Sequence, residues 1–356
     1  MYRYYCARGY DRTTEDLKTN LRSSRRDLLA GGAIAVGTLA VGGCRAQRSG
    51  TIAVVPKTTA IDYWENLHAG AEAGGDKRRL HVVWNAPQSE ANYGHQALML
   101  EDFIRRHVDG IVLAPSHGSV LASAVRHAKS EGIPLVVVDS PVMVQETEYA
   151  AYIGSDPQTM GKLAAERMGE MLGGRGQVAM IGVSPTVEAA VQRERAFTVT
   201  LADRYPNVQL VEAQYGLSDH ARSREVVTDI LAARAGLDAI FASDPFAVRG
   251  AFIALRAHPN RHVRLIGVAQ EQDLLSYVGH GLIDALIVQD PYSMGRLAVE
   301  ILGDLLWSQY RGPRRIETRV AVATGGNIQS AAIQELVSRR HTVAETAAST
   351  TRDDAR

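Results

Sequence analysis

Polar side chains recur directly after the apolar runs of this sequence, where they could hydrogen-bond a small molecule. Such segments are residues 56–59, 115–118, 139–141, 155–157, 243–245 and 289–291. Ser, Thr and Asp before Pro also form helix caps and turns, and that interpretation fits any one of these segments taken alone. If the segments converge on one edge of a sheet, they instead form a site that donates and accepts hydrogen bonds.

Residue patterns that support catalysis or metal binding are absent from the sequence. It has no Gly-rich phosphate loop ending in Lys-Ser or Lys-Thr, no His-Glu-x-x-His and no Gly-x-Ser-x-Gly. His258 and His262 are four residues apart, but Pro259 between them argues against a metal-binding helix. Cys6 and Cys44 are the only cysteines, so the folded body has no internal disulfide. We therefore expect no enzyme, no cofactor and no metal site.

Apolar runs typical of buried strands alternate with helix-length segments. The predicted strands are residues 51–55, 82–84, 110–114, 135–139, 152–154, 178–183, 209–213, 239–243, 265–268 and 285–289. Between them, apolar residues recur at spacings of three and four, as in residues 97–104. Continuous apolar strands separated by helices predict an α/β fold with parallel sheets covered on both faces.

Length and charge limit the classes of protein and partner. A chain of 356 residues is long for one core and suits two α/β lobes. Lys plus Arg equals Asp plus Glu at 39 each, so the chain has no basic field with which to bind nucleic acid.

The N-terminal residues 1–43 have the features of an export signal. Arg25 and Arg26 precede an uncharged run, residues 28–43, and resemble a twin-arginine signal. The run is short for a bilayer span but suits the core of a signal peptide. Residues 41–44 resemble a bacterial lipobox, which predicts lipidation of Cys44 and a tether over residues 44–50. A plain signal or an uncleaved anchor are the alternatives, and each places the body outside the cytoplasm, in the cell envelope.

The sequence also resembles a known family, the periplasmic binding proteins of the ribose-binding type. The likeness covers roughly residues 51–333. It rests on residues 52–56 with Tyr63-Trp64, and on residues 110–115, 132–139, 193–195, 240–244 and 284–290, which occur in the family's order.

This resemblance implies two Rossmann-like lobes joined by a three-stranded hinge. The chain would cross between lobes near residues 152–156, 289–291 and 320–324. The first lobe would comprise residues 51–153 and 290–320, and the second residues 154–289 and 321–340. Residues 341–356 lack periodicity and are expected to be a disordered tail.

The resemblance also implies which residues contact a ligand. They are Tyr63, Trp64, Asp139, Arg193, Asp244 and Gln289. The aromatic rings would stack on a sugar, Asp139 would accept hydrogen bonds from hydroxyls, and Arg193 would donate them. Core packing is the alternative for the two aromatics, and an exposed salt bridge with a nearby glutamate is the alternative for Arg193.

Departures from the family pattern indicate a ligand other than ribose. Ile61, Ser140 and Ala269 replace an Asn, an Arg and an Asp that sugar binders often carry, and Asp244 replaces an Asn. Asp244 or Gln270 could partly replace the lost carboxylate. A different sugar, a polyol and an amino-bearing ligand all remain open.

The predicted function is that of an extracytoplasmic, monomeric solute-binding lipoprotein. It would bind a sugar or related polyhydroxylated molecule and deliver it to the permease of an ABC importer. Presentation of the ligand to a chemoreceptor or sensor kinase is an alternative. A LacI-type regulator shares the two-lobed core, but an export signal occupies the place of its helix-turn-helix.

Overall fold

The computed structural model describes residues 49–59 and 61–337 of the chain. The predicted export signal with Arg25 and Arg26, the predicted lipidation site Cys44 and the predicted tail lie outside the described residues. Within the described part, no helix is both long enough and apolar enough to cross a membrane.

Strands and helices alternate along the chain, as the apolar pattern predicts. The strands are β1 (Thr51–Val55), β2 (His81–Trp84), β3 (Gly110–Leu113), β4 (Leu135–Val138), β5 (Ala151–Gly154), β6 (Arg175–Gly182), β7 (Asn207–Tyr215), β8 (Ala239–Ala242), β9 (Arg264–Val268), β10 (Ala285–Gln289), β11 (Arg315–Glu317) and β12 (Val320–Thr324). The helices are α1 (Asp62–Arg78), α2 (Tyr93–Arg105), α3 (Ala122–Ser130), α4 (Pro157–Met171), α5 (Glu188–Arg204), α6 (His220–Ala233), α7 (Pro245–Ala257), α8 (Gln272–Gly279), α9 (Pro291–Trp307) and α10 (Ala331–Val337). Each predicted strand overlaps one of β1 to β10.

The strands form two six-stranded sheets with the same strand order. Their orders are β11-β5-β4-β3-β1-β2 and β12-β10-β9-β8-β6-β7. Every described pairing is parallel except that of β10 with β12, which is antiparallel. The strand order reverses beside β1 in one sheet and beside β6 in the other. In open sheets of this kind, ligands bind at such a reversal, beyond the carboxyl ends of the strands.

Each sheet is buried on both faces, which explains why its strands are continuously apolar. In β1, Ile52 and Val54 belong to one core cluster and Ala53 and Val55 to another. Successive side chains point to opposite faces of a strand, so both faces need apolar residues. The second sheet likewise separates two clusters. The predicted α/β architecture is confirmed.

Each sheet and the helices packed on it form one lobe. The first lobe contains β1–β5, β11, α1–α3 and α9, and the second contains β6–β10, β12, α4–α8 and α10. The chain passes between lobes after β5, after β10 and between β11 and β12.

Two edge strands were not among the predicted strands. The third crossing lies at Thr318 and Arg319, and the predicted crossing over residues 320–324 instead forms β12. Strand β11 is only three residues long and carries Arg315 and Glu317, so it has no apolar run by which to be found. Short, charged edge strands are common because they resist pairing with other chains.

Glycine residues let helices pack with their backbones in close approach. A Cβ atom at Gly161 in α4 would lie 2.1 Å from the carbonyl oxygen of Arg193 in α5. A Cβ atom at Gly295 in α9 would lie 2.0 Å from the carbonyl oxygen of Leu67 in α1. In each lobe, therefore, a glycine fixes the position of a helix that carries residues of the predicted site.

We expect Gly161→Ala to lower the free energy of unfolding by roughly 1–3 kcal/mol, because the added methyl group forces α4 away from α5. Denaturant unfolding measures this change. Gly94→Ala is the matched control, since a Cβ atom there meets nothing within 4 Å. It should leave stability unchanged or raise it by up to about 1 kcal/mol. Equal losses in the two variants would contradict the proposed close packing.

Candidate functional site

A cavity lined by both polar and apolar side chains lies between the two lobes, at the carboxyl ends of strands from both sheets. The six residues predicted to contact a ligand, Tyr63, Trp64, Asp139, Arg193, Asp244 and Gln289, all line it. The space open to the centres of water molecules is about 100 Å³. One water needs about 10–15 Å³ by this measure, so the cavity suits a small molecule rather than a single water.

Asp139 is the most connected group on the first-lobe side. Its Oδ2 lies 2.6 Å from Nζ of Lys57 and accepts a hydrogen bond of 2.9 Å from the Ser140 hydroxyl. Its Oδ1 accepts a hydrogen bond of 2.8 Å from the Tyr63 hydroxyl. An ionised carboxylate accepts about four hydrogen bonds, so one acceptor position of Asp139 remains for a ligand.

The charge of Lys57 governs the pKa of Asp139. Burial alone would raise the pKa of this carboxyl, but the Lys57 ammonium and the hydroxyls of Tyr63 and Ser140 outweigh burial and lower it. Burial would likewise lower the pKa of Lys57, and Asp139 reverses that effect. Both groups are therefore charged near neutral pH.

The backbone of Asp139 aims its carboxylate into the cavity. Its φ of 64° lies in the left-handed region, which Asp tolerates better than most residues. The Tyr152 hydroxyl donates a 2.8 Å hydrogen bond to the Asp139 carbonyl oxygen and holds this turn at the end of β4.

Tyr63 and Trp64 lie in the first turn of α1 and are largely buried, with 7% and 2% of their surface exposed. Their ring planes meet at 83° with centroids 4.8 Å apart. Because the planes are nearly perpendicular, only one of the two rings can lie flat against a given ligand ring. The indole Nε1 of Trp64 lies near the Glu90 carboxyl but meets hydrogen-bond geometry with none of the described residues.

The second lobe contributes Arg193 from α5. Its Nε donates to the Ser243 hydroxyl at 3.2 Å and its Nη2 to the Ser243 carbonyl at 2.6 Å. A guanidinium has five N–H groups, so three remain to donate to a ligand. The predicted alternative, an exposed salt bridge with a glutamate, does not describe this side chain.

Asp244 lies beside Arg193 and caps α7. Its Oδ1 accepts from the backbone N–H of Ala247 at 2.6 Å and its Oδ2 from the Ser218 hydroxyl at 3.0 Å. Burial raises its pKa, although these hydrogen bonds and the charge of Arg193 oppose the increase. Asp244 therefore combines the two roles that the sequence left open, a helix cap and a cavity-lining carboxyl.

The ends of β9 and β10 place Gln270, Glu271 and Gln289 in the cavity wall. The Gln289 backbone N–H donates to Oε1 of Gln270 at 3.0 Å, and Gln289 itself lines the cavity. Nε2 of Gln270 and Oε1 of Glu271 are buried and have no hydrogen-bond partner among the described residues. Leaving such a group unpaired costs roughly 1–3 kcal/mol.

Three charged residues of the cavity were missed as site residues by the sequence interpretation: Lys57, Glu90 and Glu271. Lys57 and Glu271 follow β1 and β9 within three residues, so their positions at strand ends were an available signal. Glu90 lies in the loop between β2 and α2, away from a strand end, and no sequence motif marks it as a site residue.

Burial raises the pKa of Glu271 from 4.5 to about 7. The folded protein therefore holds this proton more tightly than the unfolded chain, and stability falls as pH rises from about 4.5 through about 7. We expect Glu271→Gln to raise the free energy of unfolding at pH 8 by roughly 1–3 kcal/mol and to change it little at pH 5.

Unfolding of the variant and the parent at pH 5 and pH 8 measures this difference. Glu225→Gln, which removes an exposed carboxylate on α6, should shift stability little at either pH. An equal effect of Glu271→Gln at both pH values would contradict the raised pKa.

Comparison with known proteins agrees with this arrangement. The family model described as the periplasmic binding protein domain matches residues 52–308. The ribose import binding protein of Bacillus subtilis is 25% identical over 274 residues, which cover 76% of this chain and 87% of that protein.

Solved structures of ABC transporter solute-binding proteins share the fold of this chain. An ABC transporter solute-binding protein from Agrobacterium vitis, with bound D-fucose, is 31% identical, with a TM-score of 0.76 over 81% of this chain and 100% of that one. A solute-binding protein from Burkholderia graminis, in complex with D-arabinose, is 29% identical, with a TM-score of 0.72 over 80% of this chain and 98% of that one. The matched family and the shared two-lobed fold together show that this chain belongs to the periplasmic binding protein domain family.

Proposed function

We propose that this protein is the exported solute-binding component of an ABC importer and captures a sugar or related polyhydroxylated molecule between its lobes. One observation carries the proposal. Both lobes direct hydrogen-bonding side chains and apolar surface into a single small cavity at the ends of their strands. The relatives with bound D-fucose and D-arabinose support the ligand class.

The donors and acceptors of the cavity suit hydroxyl groups. Asp139 has one free acceptor position, Arg193 has three free N–H groups, and the Gln289 amide both donates and accepts. Tyr63 or Trp64 covers the apolar C–H face of a sugar ring. We assign ligand binding to these residues together with Asp244.

Ligand contacts from both lobes would drive closure. We propose that the two lobes move as units about the three crossings, which lie after β5, after β10 and between β11 and β12. One contact already spans the cleft: Oδ2 of Asp62 in α1 accepts a 3.0 Å hydrogen bond from the backbone N–H of Gln272 at the start of α8. A ligand that binds both lobes stabilises the closed form by its differential affinity, and the permease would distinguish that form.

The cellular setting follows from the N-terminal residues. We propose export by the signal containing Arg25 and Arg26, attachment to the membrane through a lipid on Cys44, and a monomeric body. The relatives named as periplasmic and import binding proteins support an extracytoplasmic location.

We expect at least one sugar or sugar-like polyol to raise the melting temperature of the full chain in a panel of sugars, polyols, amino sugars and purine nucleosides. A ligand that binds only the folded state adds about 2.7 kcal/mol at a hundredfold excess over its dissociation constant. A shift with nucleosides alone, or with no member of the panel, would sink the assignment of a polyhydroxylated ligand.

We expect Arg193→Ala to weaken binding of that ligand by roughly 1–3 kcal/mol, or about 5- to 150-fold, because the ligand oxygens lose a buried donor. Isothermal titration calorimetry measures the dissociation constant. Arg195→Ala removes an exposed arginine from the same helix and should bind like the parent. Equal affinities for all three proteins would remove Arg193 from the site.

A further inference from the structure

The side chains that line the cavity include more carboxyl groups than cationic groups. The carboxyls are Glu90, Asp139, Asp244 and Glu271, and the cations are Lys57 and Arg193. Fully ionised, these six groups carry a net charge of −2, from four carboxylates and two cations.

Both cations are already engaged. Lys57 contacts Asp139 at 2.6 Å and donates to the Ser140 hydroxyl at 2.7 Å. Arg193 is bonded to Ser243, and its charge acts on Asp244 beside it. Lys57 thus pairs with Asp139 and also acts on Glu90, while Arg193 faces Glu194 and Asp244, so the carboxyls of the cavity still outnumber its cations.

Glu271 is the more deeply buried of the two, with 5% of its surface exposed. Its Oε2 accepts the backbone N–H of Gln270 at 3.1 Å, while its Oε1 has no partner among the described residues. The positive charge of Arg249 on α7 acts on Glu271, but that guanidinium is already bonded to both carboxylate oxygens of Asp273 at 2.5 and 2.9 Å.

Negative charge around these carboxyls reinforces the surplus. Asp62 on α1 lies close enough to Glu271 to raise its pKa further. Glu90 is surrounded by Asp139, Asp244 and Lys57, and it forms no ion pair within the part of the chain that the structure describes. Burial raises the pKa of Glu90 as well.

A neutral hydroxyl can donate one hydrogen bond to such a carboxylate but leaves its charge uncompensated. An ammonium group supplies three N–H donors and a positive charge, and charge-assisted hydrogen bonds are roughly twice as strong as neutral ones. A bound metal ion would need converging ligands, and the described residues contain no group of three or more His, Cys, Asp or Glu placed to hold one.

We propose, on the basis of the function proposed above, that the ligand carries a protonated amine, as in an amino sugar or amino polyol. Its ammonium group binds the carboxylate of Glu271, whose Oε1 has no partner among the described residues, and Glu90 adds negative charge to the same cavity from the opposite lobe. Arg193, Asp139 and Gln289 contact the hydroxyl groups of the same molecule.

Amine binding is coupled to pH through these carboxyls. An ammonium favours the ionised form of Glu271, whose pKa is about 7 in the ligand-free protein, so binding below pH 7 releases a proton. Glu90 and Asp244, with raised pKa values, contribute in the same direction, whereas Asp139 is already ionised. Affinity for the amine form should therefore fall as pH is lowered from 7 to 5, and affinity for a neutral form should change less.

The test is calorimetric titration of the full chain with matched ligands that differ only at one nitrogen. D-glucosamine, N-acetyl-D-glucosamine and D-glucose form one set, the corresponding galactose compounds a second, and an amino-inositol with myo-inositol a third. In at least one set we expect the amine to bind at least tenfold more tightly than both uncharged members at pH 7. Titration at pH 6 in buffers of different ionisation enthalpy should show proton release for the amine alone.

Substitution of each carboxyl tests whether Glu271 and Glu90 cause the preference for the amine over the neutral ligand. Glu271→Gln and Glu90→Gln should each reduce the ratio of amine to neutral affinity by about tenfold or more, whereas the exposed control Glu225→Gln should preserve it. The ligand comparison on the unmodified chain decides the proposal even if a variant fails to fold.

The outcomes separate this inference from the function on which it rests. Neutral sugars or polyols that bind as tightly as their amines would overturn the amine assignment and leave the proposed binding function intact. A chain that binds no member of any set, and no sugar or polyol of the wider panel, would overturn both.

Discussion

The buried contact between Lys57 and Asp139 determines how the first lobe presents its side of the cavity. A buried carboxylate needs an opposing charge and several hydrogen bonds, because desolvation otherwise outweighs its attraction to any partner. Asp139 obtains both from Lys57, Tyr63 and Ser140. The same contacts fix Tyr63 at the start of α1, so the position of the aromatic pair depends on this carboxylate. The Tyr152 hydroxyl hydrogen-bonds the Asp139 carbonyl oxygen and so supports the left-handed backbone of Asp139, the residue that Lys57, Tyr63 and Ser140 contact.

The second lobe uses its polar groups differently. Asp244 is satisfied by a helix N-terminus and a serine, and Arg193 is held by Ser243. Glu271 and Gln270, in contrast, each keep a buried polar atom without a partner among the described residues. Unpaired buried polar atoms lower the stability of the ligand-free protein. Binding sites commonly keep such atoms because a ligand can supply the missing hydrogen bonds.

The repeated sheet topology explains why two lobes can share one site. Each sheet reverses its strand order beside β1 or β6, and polar residues follow the strands at that edge. Glycine contacts between helices, at Gly295 in one lobe and Gly161 in the other, hold α1 and α5 close to their partner helices. The helices that carry Tyr63 and Arg193 are thereby fixed within their own lobes, so the proposed closure would take place at the three crossings.

The sequence alone determined the alternation of strands and helices, because burial on both sheet faces imposes continuous apolar strands that local patterns reveal. With the family resemblance, it also placed six residues that the structure brings to one cavity. It did not identify β11, which is short and charged, or β12, whose apolar residues 320–324 were instead interpreted as a crossing between the lobes. Only the tertiary structure revealed that Lys57 neutralises Asp139 and that Glu90 and Glu271 form no ion pair with any described residue. The physical reason is that ion pairing, desolvation and unsatisfied hydrogen bonds depend on which distant segments meet, whereas periodicity and capping depend on neighbours along the chain.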